Sequence, residues 1–300
     1  MNRNEEITEV IKEYSRKLFT VDGVELIIGF GKDKSGKSKP QIFWSIEDVD
    51  NFLWDENISI NLATLTGKYK DKKIGIVAQG CVTRSLVVLI NENQLKRENL
   101  IIVGVPCQGV YIESKNSLHE SCLSCKYPMP VIYDYLVDVK PIEINSDPIQ
   151  ERVNKIEKLS DKEKLEYFKE EMNKCIRCYA CRQACPMCYC ETCFVDVNSP
   201  KWLSKSTEKN DNGIWNIIRI YHLAGRCVEC GACDRACPEG VDLMYLIGKM
   251  NRDIKNLFGF ESGMKIGALP AFNTFNPYDP DFFWDGESKE KESGKKEGGS

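Results

Sequence analysis

Apolar residues in this chain gather first into short unbroken runs. Residues 24–30 (VELIIGF), 73–78 (KIGIVA) and 100–105 (LIIVGV) have the length and β-branched content of strands buried on both faces. Between the last two, residues 83–93 place Leu86, Val87, Leu89 and Ile90 at helical spacing. Strand, helix, strand predicts a βαβ unit in a parallel or mixed sheet. Residues 5–19 read as an amphipathic helix ahead of it. A polar loop at 32–40 leads to a candidate second strand at 41–45, and Ser45 with Asp48 forms a capping box opening a short helix through Trp54. Residues 110–145 look irregular. Ser160 with Glu163 caps a charged helix to about residue 173, and residues 214–223 read as another helix. The pattern predicts an α/β domain over 1–145, then a helical linker with a small α+β dicluster ferredoxin-like domain over 146–257. Residues 258–300 read as an aromatic docking arm and a disordered charged tail.

Composition narrows the classes. Of 300 residues, 42% are hydrophobic, enough for a real core, and the net charge of −4 gives no basic excess for nucleic acid. No apolar run reaches the ~18 residues of a membrane span. The polar start MNRNEEITEVIKEYSRKLF has no apolar signal core, so a cytoplasmic location is expected.

Cysteine changes the picture most. There are 15, none in the first eighty residues and eleven between 175 and 237, against two histidines, His119 and His222. In a reducing compartment such crowding points to all-thiolate metal sites rather than disulfides. Two runs share one spacing: Cys175-x2-Cys178-x2-Cys181-x3-Cys185-Pro186 and Cys227-x2-Cys230-x2-Cys233-x3-Cys237-Pro238. This is the bacterial ferredoxin pattern, in which three thiolates grip one [4Fe–4S] cubane and the fourth serves its neighbour. The expected sets are Cys175, Cys178, Cys181, Cys237 and Cys227, Cys230, Cys233, Cys185. Small residues in the loops (Ala180, Gly231, Ala232) suit close approach of backbone N–H groups to sulfur. Zinc knuckles are the competing reading, and the doubled eleven-residue pattern speaks against them. Cys188, Cys190 and Cys193 follow at once in CPMCYCETC. Three thiols do not complete a four-thiolate set, so either an additional cluster or simple packing thiols fits.

Cys81 and Cys107 sit just past the C-terminal ends of two predicted strands, where open α/β sheets bind ligands, and Cys122-x2-Cys125 comes from a nearby loop. By spacing alone, a third cluster and small buried hydrophobes are both open. Here the chain resembles a known family. VAQGCVTRSLVVLI, NLIIVGVPCQGV, ESCLSCKYPMPVIYD and CIRCYACRQACPMCYCETC resemble the beta subunits of deazaflavin-dependent hydrogenases and formate dehydrogenases, over roughly residues 20–245. The resemblance implies a third [4Fe–4S] cluster on Cys81, Cys107, Cys122 and Cys125, and FAD in the α/β domain. No G-x-G-x-x-G fingerprint accompanies it. It also implies partners of formate dehydrogenase, hydrogenase or heterodisulfide-reductase type. The expected role is an electron relay, with no catalytic acid–base pair of its own. The alternative is a FAD protein that exchanges hydride with a deazaflavin or nicotinamide and splits electron pairs into its clusters.

Residues 31–38 (GKDKSGKS) match a Walker A motif literally. A P-loop needs a helix directly after its Lys-Ser, and Pro40 with the strand-like QIFWS follows instead, so a solvated hairpin loop is expected.

Overall fold

A computed structural model describes residues 3–55, 57–112 and 115–273. Helix α1 (Arg3–Thr20) precedes strands β1 (Leu26–Lys32) and β2 (Ser38–Phe43), and two 3₁₀ helices (Ile46–Asn51 and Leu62–Tyr69) lead to β3 (Ile74–Ala78). Helix α2 (Gly80–Asn91) and β4 (Leu100–Gly104) complete the expected βαβ unit, with β3 and β4 parallel and paired from Ile74–Leu100 to Ala78–Gly104. β1 lies parallel to β3, and β2 returns antiparallel on the outer edge. Every residue of β3 is buried, which is why it reads as an unbroken apolar run.

Residues 31–38 form the β1–β2 hairpin, not a phosphate loop. The Asp33 carboxylate accepts from the Ser35 and Lys37 N–H groups at 2.7 and 3.0 Å, closing the turn on itself.

The stretch expected to be irregular holds short ordered pieces. A two-residue hairpin pairs β5 (Tyr111–Ile112) with β6 (Ser117–Leu118), α3 spans Glu120–Leu123, and β7 (Tyr135–Leu136) adds a fifth strand, giving the order β2-β1-β3-β4-β7. The pieces are too short to show periodicity.

Beyond residue 147 the chain is helical: α4 (Pro148–Glu157), α5 (Asp161–Lys174), α6 (Ala180–Gln183), α7 (Lys209–His222), α8 (Ala232–Arg235) and α9 (Leu243–Phe258). The α+β expectation is corrected here. Among the described residues this part has no ladder, only an isolated bridge between Asn198 and Lys201. Helices α4 and α9 make its centre, with Ile149, Val153, Trp215, Met244 and Ile247 among its buried residues. Asp147, Ser160 and Asp242 cap α4, α5 and α9 with their side chains.

Two apolar cores result, one on the sheet and one among the helices. Arg84 of α2 ties them. It donates to Ser262 O at 2.8 and 3.1 Å and to Val228 O at 3.2 Å, and stacks on Tyr127. The first part of the predicted arm follows α2, where Asn91 bonds Lys265 O and Gly267 N. Residues 274–300, with most of the arm and the tail, lie outside the described residues.

Candidate metal centre

The two ferredoxin-spaced motifs fold alike. Arg177 and Tyr179 in the first have φ of 48° and 63°, and Glu229 and Gly231 at the matching positions of the second have 59° and 69°. Left-handed backbone just before and after the second cysteine curls each loop. It turns Arg177 N–H toward Cys175 Sγ and Glu229 N–H toward Cys227 Sγ, both at 3.4 Å. A four-residue helix then starts at Ala180 or Ala232 and delivers the fourth cysteine beyond its end.

That fourth cysteine crosses over. Cys175, Cys178, Cys181 and Cys237 line one pocket, with Trp215, Val241 and Leu243 as its apolar wall. Val241 N–H points at Cys237 Sγ at 3.4 Å. On the other side, Cys185 packs against the sheet core with Cys227 and Cys230, and lies close enough to Cys233 to feel its charge. Burial pushes the Cys181 thiol up to about 12 and raises Cys227 and Cys233 as well.

Helix α7 turns its polar side inward, which the hydrophobic pattern did not reveal. Asn212, Asn216 and Arg219 are buried beside Trp215, while Ile214, Ile217 and Tyr221 face outward. Asn212 donates to Cys175 O at 2.5 Å and Arg219 to Cys181 O at 3.0 Å. Arg219 Nε and Nη1 have no hydrogen-bond partner, and neither does Asn212 Oδ1. Burial works against the Arg219 charge, yet the surrounding Cys233, Cys181, Cys185 and Cys188 sulfurs raise its pKa. A buried guanidinium whose remaining N–H groups meet only sulfur, that of Cys188 and Cys233, fits a sulfide-rich inorganic group beside it.

The sparse cysteines also converge. Cys81 opens α2 three residues past Ala78, and Cys107 follows Gly104 by three in the neighbouring strand, so the β3–β4 register brings them to one sheet edge. Cys122 and Cys125 come from α3 and the residues just after it. Gly109 N–H points at Cys107 Sγ and Val110 N–H at Cys122 Sγ, both at 3.3 Å. Burial pushes Cys107 up to about 12. The Cys81 thiol is also raised, first by desolvation and then by Cys230, Cys107, Cys125 and Cys122. Cys230 belongs to the second ferredoxin motif, so the two cysteine sets adjoin. The clasp is local: Gly231 lies against Ser121, Arg235 bonds both Ser121 Oγ and Cys230 O, and His119 Nε2 pairs with Asp234 at 3.1 Å.

Among the described residues no three His, Cys, Asp or Glu groups close tightly on a single ion.

The comparisons agree with this chemistry. Residues 171–241 match the 4Fe-4S dicluster domain family. This is an iron–sulfur electron-transfer protein. It is related to the F420-dependent formate dehydrogenase subunit beta of Methanocaldococcus jannaschii, 33% identical over 110 residues, 36% of this chain and 28% of that protein. The F420-dependent formate dehydrogenase 1 subunit beta of Methanococcus maripaludis is 29% identical over 107 residues, 36% of this chain and 27% of its own length. A component of the ion-translocating oxidoreductase complex of Buchnera aphidicola is 25% identical over 243 residues, 81% of this chain and 44% of its own. The chain thus spans less than half the length of these relatives. No helix among the described residues of this iron–sulfur protein is long and apolar enough to cross a membrane.

Proposed function

We propose that the chain relays single electrons between its surface near Cys178 and a site on its α/β sheet, inside a larger oxidoreductase whose partner protein performs the substrate chemistry. A division near residue 146 leaves most of each core on one side, with Met187, Leu223 and Val228 reaching across into the sheet core. In this reading Cys175, Cys178, Cys181 and Cys237 hold one [4Fe–4S] cluster, and Cys227, Cys230, Cys233 and Cys185 a second. Cys81, Cys107, Cys122 and Cys125 hold a third. Such clusters, when bound, supply one-electron carriage at potentials set by hydrogen bonds to sulfur and by burial. The chain's own part is to fix spacing and dielectric. The curled loops aim N–H groups at sulfur, Arg219 places a cation among the ferredoxin thiols, and the Ser121–Gly231–Arg235 clasp holds the third set against the second.

The observation that carries the proposal is the contiguity of Cys81 with Cys230. At the other end, Cys178 is exposed and Ile176 beside it is half exposed, which suits exchange with a partner. The proposed partners are formate dehydrogenase, hydrogenase or heterodisulfide-reductase-type subunits in the cytoplasm. The test is EPR of the anaerobically purified chain. Cys81→Ala should remove one paramagnetic centre and leave the ferredoxin signals; an unchanged spectrum would sink the third site.

One feature favours a second reading, with FAD taking hydride from a deazaflavin or nicotinamide. A cleft of about 270 Å³ lined by Cys125 also carries Arg84, Lys126, Arg252 and Lys255, set against Asp147, Glu229 and Glu261, where Lys126 pairs with Asp147 and Lys255 with Glu261. The usual nucleotide position, at the N-terminus of α2, is covered: a Cβ on Gly80 would lie 2.1 Å from Tyr127 O. Stoichiometric FAD released by acid from the native protein would support this reading, and none would remove it.

A further inference from the structure

Cys188, Cys190 and Cys193 have no part in the three sets above. They line a cavity of about 290 Å³ between α7 and the chain after the first motif. Three guanidinium groups, of Arg182, Arg219 and Arg226, border the same space. Two of them are anchored elsewhere: Arg226 pairs with Glu92, and Arg182 donates to Asp196 and to Cys190 O. Arg219 is only 5% exposed; its Nη2 donates to Cys181 O, and with no oxygen or nitrogen acceptor for Nε and Nη1 the guanidinium interacts with the Cys188 and Cys233 sulfurs. A buried cation held among sulfurs, facing a cavity rich in thiols, marks a place for a sulfur-bearing anion.

The sequence offered three thiols, one short of a set. The structure adds a fourth donor, because His222 at the end of α7 lines the same cavity. Its ring stands edge-on to Phe194, 5.5 Å between centroids, which fixes its plane.

We propose that Cys188, Cys190, Cys193 and His222 hold an additional iron–sulfur cluster, with Arg219 donating to its sulfur. The site lies against Cys185, whose thiol meets that of Cys188, so it adjoins the second ferredoxin set. Cys190 and His222 are exposed, which gives the centre an edge at the surface. The inference rests on the ferredoxin-motif reading, and the test separates the two.

Iron and acid-labile sulfide are counted in the anaerobically purified native chain and in the Cys188→Ala/Cys190→Ala/Cys193→Ala variant. The variant should hold about four irons fewer and lose one EPR component, keeping the others. The same iron content in both proteins would overturn the proposal. Failure of the ferredoxin reading shows elsewhere, as Cys175→Ala leaving iron unchanged. If the triple variant loses every cluster, the wild-type protein decides. Grown with ¹⁵N-histidine, its reduced form should show a directly coordinated nitrogen by pulsed EPR, abolished by His222→Ala. No such coupling would then overturn the proposal.

Discussion

Replacing Gly231 by alanine probes the contact that joins the two cysteine regions. A Cβ there would sit 2.1 Å from Ser121 Oγ, 2.5 Å from Ser121 Cβ and 2.9 Å from Arg235 Nη1. The left-handed φ of 69° adds ~1–2 kcal/mol for any residue with a Cβ. Tyr179 holds the matching conformation in the first motif, where its ring instead finds Trp215 at 5.4 Å. Glycine at 231 therefore answers mainly to the opposing serine. Overpacking of this kind costs ~1–3 kcal/mol, so the total is ~2–5 kcal/mol. At ~2–4 °C per kcal/mol for a chain of this size, the apparent Tm of the loaded protein should fall by ~4–20 °C. The assay is thermal unfolding followed by loss of cluster absorbance, run as a double-mutant cycle with Ser121→Gly. Ser121→Gly alone loses the bonds from His119 and Arg235, yet in the Gly231→Ala background it should restore ~1–3 kcal/mol. Full tolerance of Gly231→Ala, or strict additivity with Ser121→Gly, would refute the reasoning.

Two further perturbations address the centres. Arg219→Gln removes a buried charge; a unit charge at ~4 Å is worth ~4 kcal/mol at an effective dielectric of ~20, and a third of that is ~60 mV for one electron. EPR-monitored potentiometry should find both ferredoxin-motif centres more reducing by about that much, with Arg219→Lys close to wild type. Cys237→Ala should damage the cluster on Cys175, Cys178 and Cys181, and Cys185→Ala the one on Cys227, Cys230 and Cys233. Damage confined to each variant's own motif, read by iron content and EPR, would contradict the crossed arrangement.

The sheet was legible because β3 and β4 are buried on both faces and carry no polar position to break the run. Strand β2 begins at Ser38, earlier than its apolar residues suggest, because edge pairing with β1 engages Ser38, Lys39 and Pro40 regardless of side chain. Helices α4 and α9 were absorbed into a linker and a motif domain. Their caps, Asp147 and Asp242, were the available signal. The cysteine sets were legible from spacing, since local loops determine which thiols share a site. The adjacency of Cys81 and Cys230 was not, because it depends on how two separate cores dock. Arg219 and His222 escaped for another reason. In α7 apolar residues lie on both sides, Trp215 and Ile220 buried and Ile214, Ile217 and Tyr221 exposed, so amphipathic reasoning does not single out the face that carries the polar residues inward. Buried polar residues at i, i+4 and i+7 (Asn212, Asn216, Arg219) were the clue, and they make sense only against sulfur.

The central claim is one continuous relay from Cys178 to the sheet site. Its most direct test is low-temperature EPR of the fully reduced chain with and without Cys227→Ala. The centre at Cys81, Cys107, Cys122 and Cys125 should show spin–spin broadening that collapses to a sharp isolated signal when the neighbouring motif loses its cluster. A sheet-site signal that is already sharp in the wild type and unmoved by Cys227→Ala, or no such signal at all, would contradict it.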